Sequence, residues 1–331
     1  MSDPGTRFAD ERQKVIERRL KVIYREATAD IIKRLDQHSR KMYAKDEEKR
    51  QLVAAGKLSK EEYKEWLRNQ LLIEQIWKDQ ITEATNVLLD ANRTAARIVD
   101  GERRAVFTEN ANYLAYQIEK DAKMSISFTL YGDASVTLLL RDEPQLLPQK
   151  KVDAGKDRAW NRDKIAAVIA RGIISGSSIR TIAENIGKET GISDEKAMTR
   201  YARTAMTAAQ NAGRIEMRTD AQDMGIKVKK VWMATLDERT RPAHQALDGQ
   251  VRDINEPFDS MLGHIMYPGD PSADAANTWN CRCSLTYEYT DYPKQNMQRY
   301  DQIDGEVIED MPYSEWVEKR HPELKKRKKG E

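Results

Sequence analysis

Cysteine, histidine and phenylalanine are scarce in this chain. Its 331 residues include two cysteines, four histidines and four phenylalanines. Two cysteines separated by one residue cannot build the disulfide framework of a small secreted protein, so we expect synthesis in a reducing cytoplasm. The opening stretch MSDPGTRFADERQ lacks the apolar segment of a secretory signal, which leads to the same expectation.

A long apolar run and an excess of one charge are also missing. No run approaches the roughly eighteen apolar residues that a membrane helix needs, so we expect no membrane partner. One third of the residues are charged, but the formal net charge is only +2, which argues against a strong overall attraction to polyanions. Basic charge gathers at the C-terminal end, in a tail that is either a nucleic-acid contact or a solvated segment. The candidate nucleic-acid residues are Lys325, Lys326, Arg327, Lys328 and Lys329.

Helical periodicity dominates the first hundred residues. Apolar side chains recur every three or four positions, which predicts long amphipathic helices. One helix is predicted to begin at Ser59, because Ser59 and Glu62 have the spacing of a capping box. Its pattern continues to Gly101, where glycine is a suitable stop, and another helix is predicted over residues 109–123. The apolar stripe of the first helix comprises Ile16, Leu20, Ile23, Ala27, Ile31 and Leu35.

The pattern changes its period after these helices. Residues 128–140 alternate apolar and polar side chains around Gly132 and Asp133, which predicts a short β-hairpin. Pro144 and Pro148 then mark a linker, because proline interrupts regular structure.

Helices resume after the prolines. One is predicted to end near Gly187, and a longer one covers residues 194–224 with small side chains along one face. The short helices within residues 162–190 resemble a helix-turn-helix motif, so a sequence-specific DNA regulator is one alternative. Plain packing is favoured for such a pair, since short helices joined at glycine are common in helical proteins.

The fold class predicted from these patterns is mostly α, with long N-terminal amphipathic helices and a small α+β domain on the C-terminal side. The predicted domains are 1–141, with the long helices and the hairpin; 142–160, a linker; 161–225, a helical subdomain; 226–291, a compact α+β domain; and 292–331, an extension with the basic tail.

Residues that carry chemistry or need special backbone geometry are concentrated in residues 232–289. Alternation over residues 226–233 predicts a strand that contains Trp232. Pro242 suits the first turn of a short helix that carries His244, and Asp248 followed by glycine marks the next tight turn.

Cys281 and Cys283 are predicted on one face of a strand, with both sulfurs on the same side. Three interpretations remain open. The cysteines and His244 could bind a structural zinc, with Asp237 or His264 as the fourth ligand of a tetrahedral site. They could also be small core residues, which is the favoured interpretation and gives an expectation of no cofactor. In the third interpretation, one thiol and His244 form a nucleophile and base.

Asp237, Arg239 and Arg241 form a polar cluster with two interpretations. A carboxylate flanked by guanidinium groups suits phosphate chemistry, because arginine binds phosphate with two parallel hydrogen bonds. The same residues can form a buried salt-bridge network that fixes the loops of a small domain. The structural network is favoured.

The order of the motifs in this region resembles the head morphogenesis, or minor head, proteins of tailed bacteriophages of the phage Mu F type. The resemblance covers roughly residues 195–290 and rests on YARTAMTAAQNAGRIEMRTDAQDMG, KKVWMATLDERTRPAHQALDGQV, YPGDP and NCRC. The matching positions are Trp232, Asp237, Arg239, Arg241, His244, Gly249, Pro268, Gly269, Pro271, Asn280, Cys281 and Cys283.

The resemblance implies a structural protein of the virion or procapsid, without catalytic residues and without a small-molecule substrate. It implies a place in the capsid interior near the portal vertex and a role in head assembly and in DNA packaging or ejection. The partners that it implies are the portal protein, the major capsid or scaffolding protein, and phage DNA, which the protein would bind without sequence preference.

An enzyme is the alternative from another class. Asp237, His244, Cys281 and Cys283 could form the centre of a metal-dependent phosphodiesterase or a toxin-like enzyme. A two-metal phosphodiesterase needs several clustered acids, so the arrangement of the carboxylates distinguishes this alternative from a structural protein.

Overall fold

The computed structural model of the protein describes residues 3–71, 74–122, 128–150, 155–175, 177–289 and 298–324. Within these ranges helices predominate, and the short strands lie in the C-terminal region. This arrangement confirms the predicted fold class of a mostly α protein with a small β-containing region on its C-terminal side.

Nine α-helices and seven strands are found in the described ranges. The helices are α1 (Pro4–Ala54), α2 (Lys60–Leu71), α3 (Glu74–Ala122), α4 (Asp133–Asp142), α5 (Gly155–Ser175), α6 (Ile179–Asp223), α7 (Pro242–Leu247), α8 (Ala275–Thr278) and α9 (Tyr313–Lys319), with a 3₁₀ turn at Pro144–Leu146. The strands are β1 (Val228–Met233), β2 (Val251–Asp253), β3 (Phe258–Ser260), β4 (Gly263–Ile265), β5 (Ser284–Tyr289), β6 (Gln298–Asp301) and β7 (Glu306–Glu309).

The chain forms two compact units, each built from segments that are distant in sequence. Unit 1 comprises Met1–Ile16, Val99–Gln149 and Arg200–Glu331, and unit 2 comprises Glu17–Ile98 and Lys150–Thr199. The division of the chain into five consecutive domains stays a prediction. The core of unit 2 contains Ile31, Tyr63, Leu67, Ala84, Leu88, Ile165, Val168, Ile169, Ile182, Ala183 and Ile186.

The apolar stripe predicted for α1 is largely buried. Ile16, Leu20, Ala27 and Ile31 have almost no exposed surface, as expected for the buried face of an amphipathic helix. Ile23 is only partly buried, and the side chain of Leu35 lies outside the described residues.

The capping box of α2 is formed as predicted. The backbone N–H of Ser59 donates to Glu62 Oε2 at 2.8 Å, and the backbone N–H of Glu62 donates to Ser59 Oγ at 3.1 Å. These two bonds satisfy donors that a helix N-terminus leaves without partners. The predicted continuation of this helix into the next one falls on residues 72–73, outside the described residues.

The predicted helix stop at Gly101 is wrong. Helix α3 passes through Gly101 and ends at Ala122, so the helix predicted over residues 109–123 is its C-terminal part. No neighbouring atom lies within 4 Å of the Cβ position at Gly101. Glycine favours a helix end, but it does not force one when the flanking residues are good helix formers.

The predicted β-hairpin over residues 128–140 is also wrong, because residues 133–142 form helix α4. The helix start is stabilised locally: the backbone N–H of Gly132 donates to Ser135 Oγ at 2.8 Å, and that of Val136 donates to the Gly132 carbonyl at 3.0 Å. Of its apolar side chains Val136 is fully buried, whereas Leu138 is half exposed. The alternation therefore did not correspond to two sheet faces.

Gly187 does not end a helix either, since α6 continues through it to Asp223. A Cβ at Gly187 would lie 2.8 Å from Ile32 Cγ1, and a Cβ at Gly191 would lie 2.1 Å from Thr28 Oγ1. Both glycines therefore allow α1 and α6 to approach closely within unit 2. The cause is packing rather than termination.

The strands of the C-terminal region form three small antiparallel sheets. The largest has the order β2-β1-β5, with Trp232 opposite Leu285, and the others are the pairs β3-β4 and β6-β7. Helix α7 connects β1 to β2 and packs against β3. No helix in the described ranges is long and apolar enough to cross a membrane.

Candidate functional site

Trp232 forms the apolar wall of the candidate site. It lies on the central strand β1 and has no exposed surface. The Trp232 ring makes two edge-to-face contacts, one with the His244 ring at a centroid distance of 5.1 Å and one with the Phe258 ring at 5.3 Å. Edge-to-face geometry is favourable for aromatic rings, so Trp232 orients the His244 imidazole.

Helix α7, the short helix that the sequence predicted, places His244 against this wall. Pro242 occupies its first turn, where the missing N–H has no helical partner and the fixed φ suits the helix. Gly249 follows with a φ of +77°, a conformation that glycine adopts without strain. Its N–H donates to the Trp232 carbonyl at 2.9 Å, and Asp248 Oδ1 accepts from the Ala234 N–H at 2.7 Å. The turn therefore returns the chain to β1.

Cys281 and Cys283 both face the same nitrogen of His244. The distances from His244 Nδ1 are 3.5 Å to Cys281 Sγ and 3.6 Å to Cys283 Sγ, and all three side chains are buried. The two sulfurs lie on one side of the chain, as predicted. The cysteines precede β5 rather than belong to it, because that strand begins at Ser284. Neither cysteine forms a disulfide.

Asn277 contacts the other nitrogen of His244. Asn277 Oδ1 lies 2.9 Å from His244 Nε2, and Asn277 Nδ2 donates to the Gly263 carbonyl at 3.2 Å. Because a carbonyl can only accept, the Asn277 NH₂ group faces Gly263 and the amide oxygen faces the ring. His244 therefore carries its proton on Nε2, and Nδ1 presents a lone pair to the two sulfurs.

The two thiols differ in acidity because they share a hydrogen bond. The contact with Cys283 lowers the pKa of Cys281, against the opposing effect of burial. The same contact, together with burial, raises the pKa of Cys283 well above the usual thiol value.

Asp237 is the centre of the polar network, and Arg282 is its main partner. Arg282 forms a bidentate ion pair with the Asp237 carboxylate, in which the distance from Nη2 to Oδ1 is 3.1 Å. Thr240 Oγ1 donates to Asp237 Oδ1 at 3.1 Å, and Arg239 lies 3.6 Å from Oδ2 with its own side chain mostly exposed. Tyr313 also donates its hydroxyl to the Asp237 carbonyl. This geometry has the character of a structural network.

Arg241 does not join the Asp237 network. Its guanidinium donates to the Asn277 carbonyl at 3.0 Å and to the Trp279 carbonyl. Asn280 follows with a φ of +59°, and its backbone N–H donates to Thr204 Oγ1 at 2.9 Å. Arg241 and Asn280 thus fix the backbone that delivers the cysteines to His244.

The loop Pro268-Gly269-Asp270-Pro271 docks on α6. Gly269 has a φ of +86°, and a Cβ there would lie 2.7 Å from the backbone N of Ala208. Both the backbone conformation and the close contact therefore require glycine. The Pro268 carbonyl accepts from Asn211 Nδ2 at 3.1 Å, whereas Pro271 is exposed. This loop holds the region in place.

The segment that builds this site is similar to known phage proteins. The model of the family described as "Phage Mu protein F like protein" matches residues 163–286. The "Minor head protein GP7" of Bacillus phage SPP1 is 30% identical over 212 residues, which cover 63% of this chain and 68% of GP7. The chain belongs to the phage Mu F-like family of minor head proteins.

Two other relatives match this chain over a smaller share of their own length than GP7 does. The "NAD(+)--arginine ADP-ribosyltransferase EFV" of Enterococcus faecalis is 27% identical over 303 residues, which cover 90% of this chain but 56% of EFV. An "Uncharacterized protein" of Haemophilus influenzae is 32% identical over 127 residues, which cover 38% of this chain and 25% of that protein. No solved structure matches the chain.

The ligands suggested above as a fourth zinc donor are not part of the cysteine cluster of this minor head protein. The grouping of ligand atoms within 4.8 Å contains His244, Cys281 and Cys283. His264 is exposed and pairs with Asp259 at 2.7 Å, and Asp237 binds Arg282. The prediction that Asp237 or His264 is a fourth ligand beside His244, Cys281 and Cys283 is therefore wrong. The basic tail, residues 325–329, lies outside the described residues.

The motifs did not single out several structurally important side chains. Asn277 has no sequence signal, because its role depends on how α8 meets α7. Arg282 could have been found, since strand alternation places it opposite the cysteines. Lys230 is fully buried and donates from Nζ to the Ile254 carbonyl at 2.8 Å and the Met266 carbonyl at 3.0 Å. Burial lowers the pKa of Lys230 to about 8, against the opposing effect of nearby carboxylates.

Proposed function

We propose that this protein is a structural minor head protein of a tailed phage, located in the virion near the portal vertex. It contacts the portal protein and the procapsid, and it assists head assembly and DNA packaging or ejection. The observation that carries the proposal is the similarity to a minor head protein, GP7, over 68% of the length of that protein.

The long helices support an assembly role. Helices α1, α3 and α6 have 51, 49 and 45 residues. Helices of this length expose many side chains beyond those that an internal core needs, because only one stripe of an amphipathic helix is buried. Their remaining faces are available for contacts with the portal or with capsid and scaffolding proteins.

The bonding of the carboxylates supports a role without catalysis. Asp237 is held by Arg282 and Thr240, and the buried carboxylate of Asp248 is held by Arg299 at 2.8 Å. A two-metal phosphodiesterase needs several acids that converge on its cations. The carboxylates of Asp237 and Asp248 instead form ion pairs with arginine. The match covers 56% of EFV, so the name of that enzyme does not assign a transferase activity to this chain.

The test of the proposal is association with the portal protein encoded by the same phage. The full chain and the tagged portal protein are co-expressed, captured through the tag and examined by size-exclusion chromatography with light scattering. We expect the chain to elute with the portal oligomer, because a portal-associated protein must bind the assembled ring. The portal of an unrelated tailed phage serves as the control.

A second arm separates portal binding from a general role in the head. Particles are purified from a phage that carries a stop codon in this gene, with and without the chain supplied in trans. We expect the chain in complemented heads and defective packaging or infectivity without it. Absence of the chain from complemented heads, together with no capture by the portal, would contradict the proposal.

A further inference from the structure

Three buried donor atoms of the kinds that bind zinc converge within unit 1. His244 Nδ1, Cys281 Sγ and Cys283 Sγ lie within 4.8 Å of one another. The thiolate and imidazole groups are the preferred zinc ligands in proteins. All three side chains are 4% exposed or less, so their mutual contact is not a consequence of chance proximity on a surface.

The ring of His244 is set in the tautomer that a metal ligand needs. Asn277 Oδ1 accepts the Nε2 proton at 2.9 Å, and Ser260 Oγ donates to the same oxygen at 3.3 Å. Metal-bound histidine typically donates its other N–H to such an acceptor, which fixes the ring orientation. The Nδ1 lone pair consequently points at the sulfurs.

The nitrogen to sulfur distances agree with coordination to one common cation. A tetrahedral zinc with ordinary bond lengths places a nitrogen and a sulfur ligand about 3.5–3.6 Å apart. The observed distances are 3.5 Å and 3.6 Å. A single Nδ1 lone pair accepts one well-directed thiol proton, so a hydrogen bond to the ring accounts for one of the two sulfurs. The contact between the two thiols brings the other sulfur near, but it does not require that sulfur to lie equally close to Nδ1.

We propose that this protein binds one Zn²⁺ ion through His244 Nδ1, Cys281 Sγ and Cys283 Sγ. The remaining coordination position is taken by a ligand from solvent. On binding, each thiol loses its proton to solvent and the two thiolates balance the charge of the cation. The ion ties α7 to the segment that precedes β5, and it is a structural crosslink independent of the head function proposed above.

The first experiment measures metal in the full-length protein. The chain is produced in zinc-supplemented medium, purified without chelator and examined by elemental mass spectrometry. We expect one zinc per chain and protected thiols, and we expect a chelator to release the zinc, expose both thiols and lower the melting temperature. Replacement of the zinc by Co²⁺ should give a thiolate-to-cobalt charge-transfer band, which reports the ligand type without any assay of function.

Variants assign the ligands. Cys281→Ser, Cys283→Ser and His244→Gln should each lose most of the bound zinc. For each serine variant, the cobalt band per bound Co²⁺ ion should have about half the wild-type intensity, since one of the two thiolates is gone. His264→Gln is the matched control, because this exposed histidine belongs to the same region but lies outside the cluster. Asn277→Leu tests the orientation of the ring and should weaken zinc binding by roughly 10- to 100-fold.

Three results would overturn the proposal. The wild-type chain could hold no zinc after incubation with the metal, with both thiols buried and unreactive. It could instead contain an oxidised Cys281–Cys283 pair. It could also bind zinc that the cysteine variants retain and that Asp304→Asn removes, which would place the ion at the grouping of Asp301, Asp304 and His321. The cobalt spectrum of the folded wild-type chain decides between these results even where a variant fails to fold.

Discussion

At the scale of single residues, Asp301 is the acceptor that anchors the end of the described chain. Its Oδ2 accepts from Trp316 Nε1 at 2.7 Å, from His321 Nε2 at 2.9 Å and from Arg320 Nε at 3.2 Å. Burial opposes ionisation of Asp301, but the bonds from Trp316 and His321 outweigh it and lower its pKa to about 2. Burial likewise opposes the charge of His321, yet Asp301 outweighs it and raises the pKa of His321.

The two shifts give opposite pH dependences. The folded pKa of Asp301 is depressed, so its contribution to stability is present above about pH 3.9, the unfolded value, and is lost as the pH falls towards 2. The folded pKa of His321 is raised, so its contribution is fully present below about pH 6.5 and is lost as the pH rises through the folded pKa. The ion pair is therefore most effective in mildly acidic solution.

Asp301→Asn is expected to lower the pKa of His321, because the variant keeps a hydrogen-bond acceptor and removes the negative charge. The measurement is an NMR titration of the His321 ring protons. Asp304→Asn is the control and should lower the pKa less, since Asp304 makes the weaker contribution to the shift. An unchanged titration of His321 in Asp301→Asn would mean that the carboxylate does not stabilise the imidazolium.

At the scale of secondary structure, glycine has different roles in two of the long helices. Gly213 in α6 is packed against α3, since a Cβ there would lie 2.4 Å from the Phe107 carbonyl oxygen. Gly101 in α3 has open space around its Cβ position. The former allows a close helix contact within unit 1, whereas the latter only reduces helix propensity.

Replacement of these glycines by alanine should change stability in opposite directions. Gly213→Ala should lower the free energy of unfolding by about 1–3 kcal/mol, because the contact is with rigid backbone and the helices must separate. Gly101→Ala should raise it by up to about 1 kcal/mol, because alanine has the higher helix propensity. Urea denaturation followed by circular dichroism measures both, and stabilisation by Gly213→Ala would contradict the packing account.

At the scale of the whole molecule, the two units are each assembled from separate stretches of sequence. Unit 1 takes residues from the beginning, the middle and the end of the chain, and unit 2 takes two stretches that lie between them. A single cut therefore cannot isolate either unit intact. Tests of partners need the full chain, with changes confined to side chains or to the basic tail.

If the protein binds DNA, as the resemblance to minor head proteins implies, we expect that binding to depend on the basic tail, residues 325–329. Replacing its five basic residues by glutamine should weaken binding to unrelated DNA sequences equally, and it should reduce the log–log salt slope by up to about 0.9 for each phosphate that the tail neutralises. Fluorescence anisotropy at several salt concentrations measures this. The matched control replaces five exposed basic residues of α1 by glutamine, namely Arg18, Lys21, Arg25, Lys33 and Lys45. Equal effects of both sets would show that only net charge matters.

The accuracy of sequence-based prediction followed the range of the interactions involved. The capping box at Ser59 and the helix that starts at Pro242 depend on residues within one turn, and both were predicted. The hairpin at residues 128–140 was predicted wrongly because alternation over so few residues does not distinguish a strand from a short helix with one buried side chain. Gly187 was interpreted as a helix end because its role is visible only from the neighbouring helix.

The sequence by itself determined the long amphipathic helices, their local caps, the strand with Trp232 and the resemblance to phage minor head proteins. Each of these depends on periodicity or on neighbours in the chain. Only the tertiary structure decided that Arg282 neutralises Asp237 and that Asn277 sets the tautomer of His244. The residues of these two pairs are 45 and 33 positions apart, and such contacts exist only after the chain has folded and excluded water from between them.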